Sequence, residues 1–175
     1  MRPLYLVVGI ALFVAGCVTT PMEGIVTTAD PAKWQVGFQK DFGAGNGYIR
    51  EFVPKGEKIE SWSRLISIEF FEGEKASAKD FASSFAAKRQ AQCPGTTFEL
   101  IESDEYNAYY AFSFPSCMGQ ESQSEISRAI QGNDGLHRLS YAVKRRELSP
   151  AERAEWLTFL RDAYVAKGPH HDRVR

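Results

Sequence analysis

The stretch SEISRAIQGNDGLHRLSYAVK, residues 124–144, contains the clearest structural signal in the chain. Apolar side chains occupy every second position in its latter part, at Leu139, Tyr141 and Val143, which is the period of a strand with one buried face. The GNDG segment at residues 132–135 separates this run from the extended run before it, and glycine and asparagine tolerate the positive φ angles of a tight turn. The stretch therefore predicts a β-hairpin.

Extended runs with alternating apolar residues also precede the hairpin. Trp34, Val36 and Phe38 share one parity in the first run, as a half-buried strand requires. The connections among the last four runs are short, which favours an antiparallel meander. The predicted strands cover residues 34–39, 48–53, 65–71, 97–103, 108–114, 124–131 and 136–144.

Residues 43–47 (GAGNG) lie between the first two predicted strands and have the glycine content of a phosphate-binding loop. They lack the Lys-Ser/Thr pair that follows such loops, and no helix is predicted directly after them. A hairpin loop is therefore the better interpretation of this segment.

Two segments change to the apolar period of a helix. Ser77, with Asp80 three residues later, predicts the start of the first helix, which ends at Cys93 before a proline and a glycine. Ser149 and Glu152 predict a capping box for the second helix, which ends before a Gly-Pro pair. This element order predicts an α+β fold, an antiparallel sheet of about six to seven strands flanked by two main helices. The expected inward stripe of the second helix is Leu157, Leu160 and Tyr164, helped by Trp156 and Phe159.

The composition is that of one globular domain with almost no net charge. The chain has 175 residues, 43% of them hydrophobic, and its 21 basic side chains nearly balance 22 acidic ones. Nucleic-acid binding depends on a basic excess that neutralises phosphates, so this balance argues against a nucleic-acid partner.

The amino terminus has the features of an export signal. Arg2 precedes an apolar run at residues 4–13, which is shorter than the roughly 20 residues of a membrane-spanning helix. The next residues, VAGC at 14–17, resemble the bacterial lipobox. The resemblance implies cleavage before Cys17, a diacylglyceryl group on its sulfur and acylation, as with palmitate, of the new amino terminus. An uncleaved anchor and a plain secretory signal with a chance cysteine are the alternatives.

Val18 stands after the lipobox cysteine, where an aspartate favours retention in the inner membrane of enteric bacteria. By the same resemblance, the predicted location is the outer membrane of the cell envelope, with the domain facing the periplasm. Two or more acyl chains make such an anchor effectively stable, so the membrane is the first expected partner.

These features divide the chain into four predicted segments. A lipoprotein signal peptide covers residues 1–16, and the lipidated cysteine opens a flexible tether at residues 17–32, where VTTPMEGIVTTADP shows no sustained period. A single α+β domain covers residues 33–167. Residues 168–175 form a predicted disordered tail.

Lipidation of Cys17 leaves Cys93 and Cys117 as an even pair in an oxidising compartment, which predicts a disulfide between them. In the loop-entropy model, such a bridge restricts the unfolded chain by roughly 3.5 kcal/mol. A redox pair or metal thiolates are the alternatives, but the spacing is not C-x-x-C and no histidine lies nearby in the sequence.

The element order is accompanied by EFVPKGE at residues 51–57, Trp62-Ser63, and LISI at residues 65–68. Together they resemble a group of uncharacterised bacterial envelope lipoproteins, whose architecture is similar to the Mog1/PsbP-type α/β/α sandwich. The resemblance covers about residues 34–165. Mog1 and PsbP act by binding other macromolecules, so the resemblance implies an accessory or binding role.

No residue is predicted to be catalytic, and neither a metal site nor a cofactor is predicted. His137 is the one histidine within the predicted domain, and its place at the hairpin end favours a solvated or hydrogen-bonded imidazole. In an enzyme, a distant acid would have to approach it. The candidate acids are Glu99, Glu102, Asp104 and Glu125. Adventitious metal binding is expected for His170, His171 and Asp172 in the predicted tail.

Three further features have both a functional and a structural interpretation. Residues 144–146 (KRR) suit contact with anionic headgroups or an acidic partner, although a solvated strand end is favoured. Residues 102–105 (ESDE) fit a polar turn better than a calcium loop. Trp62 fits a plug in the core better than a ligand platform.

Three hypotheses for the function follow. The first is a lipid-anchored envelope protein, a non-catalytic accessory domain that binds another envelope protein. The second is a periplasmic carrier of a small apolar ligand. The third, an enzyme, requires a pocket in which His137 or two carboxylates converge with altered protonation. The partner, the pathway and the oligomeric state stay open. The aromatic residues expected to line the carrier's cavity are Tyr106, Tyr109, Tyr110, Phe112 and Phe114.

Overall fold

A computed structural model describes residues 22–43 and 45–167 of the protein. Over these ranges the chain forms nine β-strands and two α-helices, with a short 3-10 turn between β3 and β4. The strands are β1 Glu23–Val26, β2 Trp34–Asp41, β3 Tyr48–Pro54, β4 Arg64–Glu72, β5 Thr97–Ser103, β6 Asn107–Phe114, β7 Gln123–Gln131, β8 Gly135–Val143 and β9 Tyr164–Lys167; the helices are α1 Ala78–Gln92 and α2 Pro150–Asp162.

Seven of these strands form one antiparallel sheet in the order β2-β3-β4-β8-β7-β6-β5. The sheet consists of two meanders, β2 to β4 and β5 to β8, which are joined where β4 pairs with β8 from end to end. The predicted hairpin is confirmed, because Gln131 of β7 pairs with Leu136 of β8 across the GNDG turn. The predicted antiparallel sheet is also confirmed.

The two helices cover opposite faces of the sheet, so the fold is the predicted α+β type with a sandwich-like arrangement. Ser77 caps α1, whose buried alanines lie against β6 and β7. Ser149 and Glu152 form the predicted capping box of α2. The Trp156 ring of α2 stacks on Tyr141 of β8, with 3.6 Å between the ring centroids. We call the two sides of the sheet the α1 face and the α2 face.

Strand β8 lies in the middle of the sheet, and all of its residues are buried. Leu139 and Tyr141 point to the α2 face, whereas Leu136 and Arg138 point to the α1 face. Alternation along β8 therefore separates two covered faces rather than core from solvent.

The flexible tether predicted for residues 17–32 is wrong for residues 23–26, which form β1 and pair with β9 in a small antiparallel sheet. Ile25 is fully buried, and Glu23 is only 4% exposed. The segment EGIV is too short to display a period, and packing rather than local propensity stabilises such a strand.

The second helix is shorter than predicted. It ends at Asp162, and the extended backbone of Ala163 leads into β9. Tyr164 was expected in the buried stripe of the helix but pairs with Val26 of β1 and is 54% exposed. The strand pairing with β1, which the sequence pattern does not predict, accounts for the early end of the helix.

Cys17 and the predicted signal peptide lie outside the described residues, as do the predicted tail at residues 168–175 and its His170, His171 and Asp172. No helix within the described ranges has the length and apolar character needed to cross a membrane.

Strand β2 is an edge strand and is less buried than its pattern predicts. The register shifts between Val36 and Phe38, so Val36 pairs with Phe52 while Phe38 pairs with Glu51. Phe52 and Glu51 are consecutive, so the shift places Val36 and Phe38 on opposite faces, not on the shared face that the alternation predicts. Trp34 is buried, but Val36 and Phe38 are 54% and 40% exposed.

Candidate functional site

Arg138 lies in the middle of the α1 face and is only 3% exposed. Its Nη1 donates a hydrogen bond to Glu69 Oε1 at 3.0 Å, and its Nε donates to Tyr110 Oη at 2.9 Å. Its Nη2 forms an ion pair with Glu125. Burial raises the pKa of Tyr110 to about 12, so its hydroxyl stays protonated. The guanidinium thus links β8 to β4, β6 and β7.

A third carboxylate lies close to this group. Glu51 of β3 accepts a hydrogen bond from Ser67 Oγ at 3.4 Å, and Ser127 donates one to Glu125. Three carboxylates on β3, β4 and β7 therefore surround one buried guanidinium. We call this group the Arg138 cluster, and its members are Glu51, Glu69, Tyr110, Glu125 and Arg138.

Burial and neighbouring charges set the protonation of the cluster. Burial raises the pKa of Glu125, against the attraction of Arg138 and of the more distant Arg89. Burial and repulsion from Glu69 raise the pKa of Glu51. Burial alone would lower the pKa of Arg138, but Glu125 and Glu69 raise it well above the ordinary value. The cluster therefore keeps its cation, while Glu51 and Glu125 hold protons more tightly than they do in water.

A cavity of about 470 Å³ lies beside the cluster, between β4 and α1. Its aromatic walls are Phe71, Phe81 and Phe85. Phe85 also belongs to the surroundings of the cluster, because its ring centroid lies 4.3 Å from the guanidinium carbon of Arg138. An apolar cavity with charged groups next to it is the usual form of a small-molecule site. The other lining residues are Glu74, Ala76, Ser84 and Lys88.

The five aromatic residues predicted to line a ligand cavity are divided among three places in the fold. Tyr110, Phe112 and Phe114 are buried in the core beneath α1. Tyr109 packs in the core of the α2 face, because consecutive strand residues point to opposite faces. Tyr106 is 55% exposed at a turn. The cavity beside α1 is instead lined by aromatic residues of β4 and of the helix itself.

His137 and Glu23 form a second buried polar site, on the α2 face. His137 Nε2 lies 3.6 Å from Glu23 Oε2, and the imidazole stacks on Phe70 with 4.6 Å between ring centroids. Glu23 accepts hydrogen bonds from Asn133 Nδ2 and from the Asp134 amide, both at 2.9 Å. His137 is fully buried, and neither ring nitrogen has a hydrogen-bond partner among the described residues. The predicted solvated imidazole is therefore wrong, because β1 covers the ring, and the Glu23 carboxylate is its nearest polar neighbour.

The acids considered as partners of His137 are engaged elsewhere. Glu99 pairs with Arg153 at 2.6 Å, and Glu102 pairs with Arg161 at 2.9 Å, so both hold α2 to β5. Asp104 accepts backbone hydrogen bonds within its own turn, which fits the predicted polar turn. Among residues 22–43 and 45–167, no three His, Cys, Asp or Glu residues are arranged to hold a metal ion.

Two structural predictions are confirmed near the end of the sheet where β4 begins and β6 ends. Cys93 and Cys117 form a disulfide with 5.8 Å between their Cα atoms, which ties the end of α1 to the connection between β6 and β7. Trp62 packs against a small buried cluster that contains Val53 and Leu65.

The basic run at residues 144–146 is partly used within the fold. Lys144 Nζ lies 2.8 Å from the Glu121 carboxylate, and Arg145 forms an ion pair with Glu152 of the α2 cap. Arg146 is exposed and makes no ion pair within the described part of the chain. The run therefore fits the predicted strand end better than a uniform basic patch.

A protein-family model matches residues 30–167, from just before β2 to the end of β9. The chain belongs to this family. The match includes the whole Arg138 cluster and the cavity beside it, whereas Glu23 precedes it. The family is uncharacterised, so membership assigns no activity. No curated protein matches the chain significantly.

The sequence reasoning missed the Arg138 cluster and the role of Glu23. One signal for the cluster was present: Arg138 stands within a strand whose other residues are mostly apolar or small. A charge in a strand buried on both faces requires a charged partner. The sequence carries no comparable signal for Glu23.

Proposed function

We propose that the chain is a bacterial envelope lipoprotein that is anchored in the outer membrane through acyl chains on Cys17 and binds another envelope polypeptide in the periplasm. The VAGC lipobox at residues 14–17 supports the anchor. The Cys93–Cys117 disulfide supports an oxidising compartment. The antiparallel sheet between two helices supports the likeness to Mog1/PsbP-type binding domains.

The exposed edge strand β2 is the observation that carries the binding role. β2 is the last strand on its side of the sheet, and six of its eight residues are exposed. Backbone groups along an open edge are a template for pairing with another extended chain. Native edge strands are usually protected by charges and bulges, and β2 has both, at Lys40 and at the register shift between Val36 and Phe38. The exposed apolar side chains of Val36 and Phe38 remain at this edge and indicate a contact site.

The apolar side chains of β2 suit an added strand. Val36 points to the side of Phe52 and Phe38 to the side of Glu51, so both faces of the edge offer an apolar contact. An extended segment paired with β2 would place its alternating side chains beside Val36 on one face and Phe38 on the other. The proposed occupant is therefore an extended segment of another envelope polypeptide.

Photo-crosslinking in intact cells tests this proposal. A photoreactive amino acid in place of Val36 is expected to give a discrete crosslinked product. The same amino acid in place of Met118, which is 75% exposed in the connection between β6 and β7, should give none. The Phe38→Asp substitution adds a charge to the edge and should remove the product, whereas Met118→Asp should leave it unchanged. A product that persists with Phe38→Asp, or that contains two copies of this chain, contradicts the proposal.

A small apolar ligand is the second candidate, and the cavity beside α1 favours it. Phe71, Phe81 and Phe85 provide apolar walls for a cavity of about 470 Å³. A neutral probe such as N-phenyl-1-naphthylamine should gain fluorescence on binding there. Phe81→Asp should remove this gain, and Phe98→Asp, on the edge strand β5, should not. Equal effects of the two substitutions contradict the carrier role.

A further inference from the structure

We infer that one end of the sheet lies against the membrane surface, with Phe42 and Tyr106 in contact with lipid headgroups. This end carries the β2–β3, β5–β6 and β7–β8 turns, and we call it the turn end. The inference rests on the proposed lipid anchor at Cys17 and adds an orientation and a lipid-contacting surface to it.

The three turns lie at the same end because the strands are in register. Tyr48 pairs with Phe70, Phe70 with His137, and His137 with Ile130. Ile130 in turn pairs with Asn107. This row crosses β3, β4, β8, β7 and β6 close to the points where the three turns begin or end. The turns therefore form one continuous surface.

The polypeptide enters the domain at the turn end. Glu23, the first residue of β1, is bonded to Asn133 and Asp134 of the β7–β8 turn. Lys167 of β9 also lies 3.2 Å from Asp134. Gly132 leaves room for this contact, since a Cβ there would overlap Glu23 Oε2. The chain is thus fixed to the turn end from Glu23 onward.

The distance between the anchor and this attachment point is short. Five residues, 18–22, separate Cys17 from Glu23, and a segment of this length spans at most about 20 Å. The nine residues of β8 alone extend over about 30 Å. With the Cys17 acyl chains in the bilayer, the turn end is the nearest to the headgroups, and the end that carries Met118 points away.

The turn end exposes side chains that suit the headgroup region. Phe42 and Tyr106 are 40% and 55% exposed, and Met22, next to Glu23, is 48% exposed. Aromatic side chains, with an apolar ring and in tyrosine a polar tip, are favoured at the membrane–water interface. Asp41 and Asp104 at this end are already paired within the protein. Glu105, which precedes Tyr106, is also exposed, and an acidic group does not attract anionic lipid. The aromatic rings are therefore expected to make the contact without anionic lipid.

Lipid crosslinking of the full acylated protein tests the orientation. The protein is purified from the envelope of a bacterial host and placed in phosphatidylethanolamine-rich vesicles, with a benzophenone amino acid in place of Phe42, Tyr106 or Met118. After irradiation, mass spectrometry measures phospholipid adducts and the mass of the amino-terminal peptide in the same sample. Adducts are expected at positions 42 and 106 and not at 118, with or without phosphatidylglycerol in the vesicles.

The outcomes separate this inference from the anchor on which it rests. An acylated Cys17 without adducts at 42 and 106, or with equal adducts at 118, overturns the orientation and leaves the anchor standing. Crosslinks from 42 and 106 to protein in place of lipid also overturn it. An amino-terminal peptide without acyl chains overturns both proposals.

Discussion

Glu23 in the first strand of the domain contacts His137 in its central strand, with 3.6 Å between a carboxylate oxygen and an imidazole nitrogen. Both side chains are buried. The contact joins the short β1–β9 sheet to the main sheet, so the segment next to the proposed anchor is part of the folded domain. Two titratable groups in one buried contact also make the stability of the domain depend on pH.

The first prediction concerns acid destabilisation through His137. Burial lowers its pKa, so the unfolded chain binds a proton at this site before the folded state does. Stability is therefore expected to fall as pH decreases below about 6.5, the ordinary value for histidine. Urea unfolding of the wild type and of His137→Phe at about pH 7.5 and 5.5 measures this contribution, and the wild type should lose more stability between the two pH values. Parallel losses would contradict the prediction.

Glu23 also makes the domain less stable as pH falls, but in a lower pH range than His137. Burial would raise its pKa, but hydrogen bonds from the Asp134 amide and Asn133 outweigh it and lower the pKa. Its contribution is present above the ordinary value of a glutamate and is lost as pH falls through the lowered one. Glu23→Gln should cost about 1–3 kcal/mol at neutral pH, since two donors then compete for one amide oxygen. Urea unfolding near pH 4 should show a smaller cost, and an unchanged cost would argue against this assignment.

The Arg138 cluster, the other buried polar group, is expected to have a larger effect on the free energy of unfolding. Arg138→Met leaves Glu125 and Glu69 without their cation and should lower the free energy of unfolding by about 3–5 kcal/mol. Arg161→Met, in an exposed pair with Glu102, should change it little. Adding Glu125→Gln to Arg138→Met should recover part of the loss. Urea unfolding at neutral pH measures all three variants, and similar losses for both arginines would contradict a structural role for the Arg138 cluster.

The contribution of Glu51 to the pH dependence of stability should have the opposite sign. Burial and repulsion from Glu69 raise its pKa, so the folded state holds this proton more tightly than the unfolded chain, and stability declines as pH rises above about 4.5. Glu51→Gln should therefore stabilise the protein near pH 8, by less than about 1 kcal/mol because the side chain is only partly buried. The gain should vanish near pH 4. Glu69→Gln, which removes a partner of Arg138, is the matched control and should destabilise.

The disulfide gives a prediction that depends on the redox state. Reduction, or the double substitution Cys93→Ala and Cys117→Ala, should lower the free energy of unfolding by about 2–4 kcal/mol. Thermal unfolding with and without a thiol reductant measures this loss. The double variant should no longer respond to the reductant, and an equal response in both proteins would place the sensitive group elsewhere.

Most of the fold was predictable because local signals agreed with it. The GNDG turn, the Ser77 cap and the Ser149–Glu152 capping box each fix an element boundary through chemistry within a few residues. The apolar alternation of Ile66, Ile68 and Phe70 likewise predicts the buried side of β4, and all three are fully buried.

The remainder depends on contacts between distant segments. Glu23 is buried only because the β7–β8 turn supplies its donors, which no local pattern encodes. Arg138 and Glu125 occupy positions that an alternating pattern assigns to the solvent side of a half-buried strand. α1 covers that side, so both are buried there and neutralise each other. The register shift in β2 at Gly37 similarly follows from its pairing with β3.

In the proposed function, Cys17 carries acyl chains that fix the domain to the cell envelope. Intact-mass and peptide mass spectrometry of the protein purified from a bacterial envelope test it most directly. We expect an amino-terminal peptide that begins at Cys17 and carries a diacylglyceryl group and an amide-linked acyl chain, both absent in Cys17→Ser. An amino terminus that retains Met1, or a mature terminus at Cys17 without lipid, would contradict it.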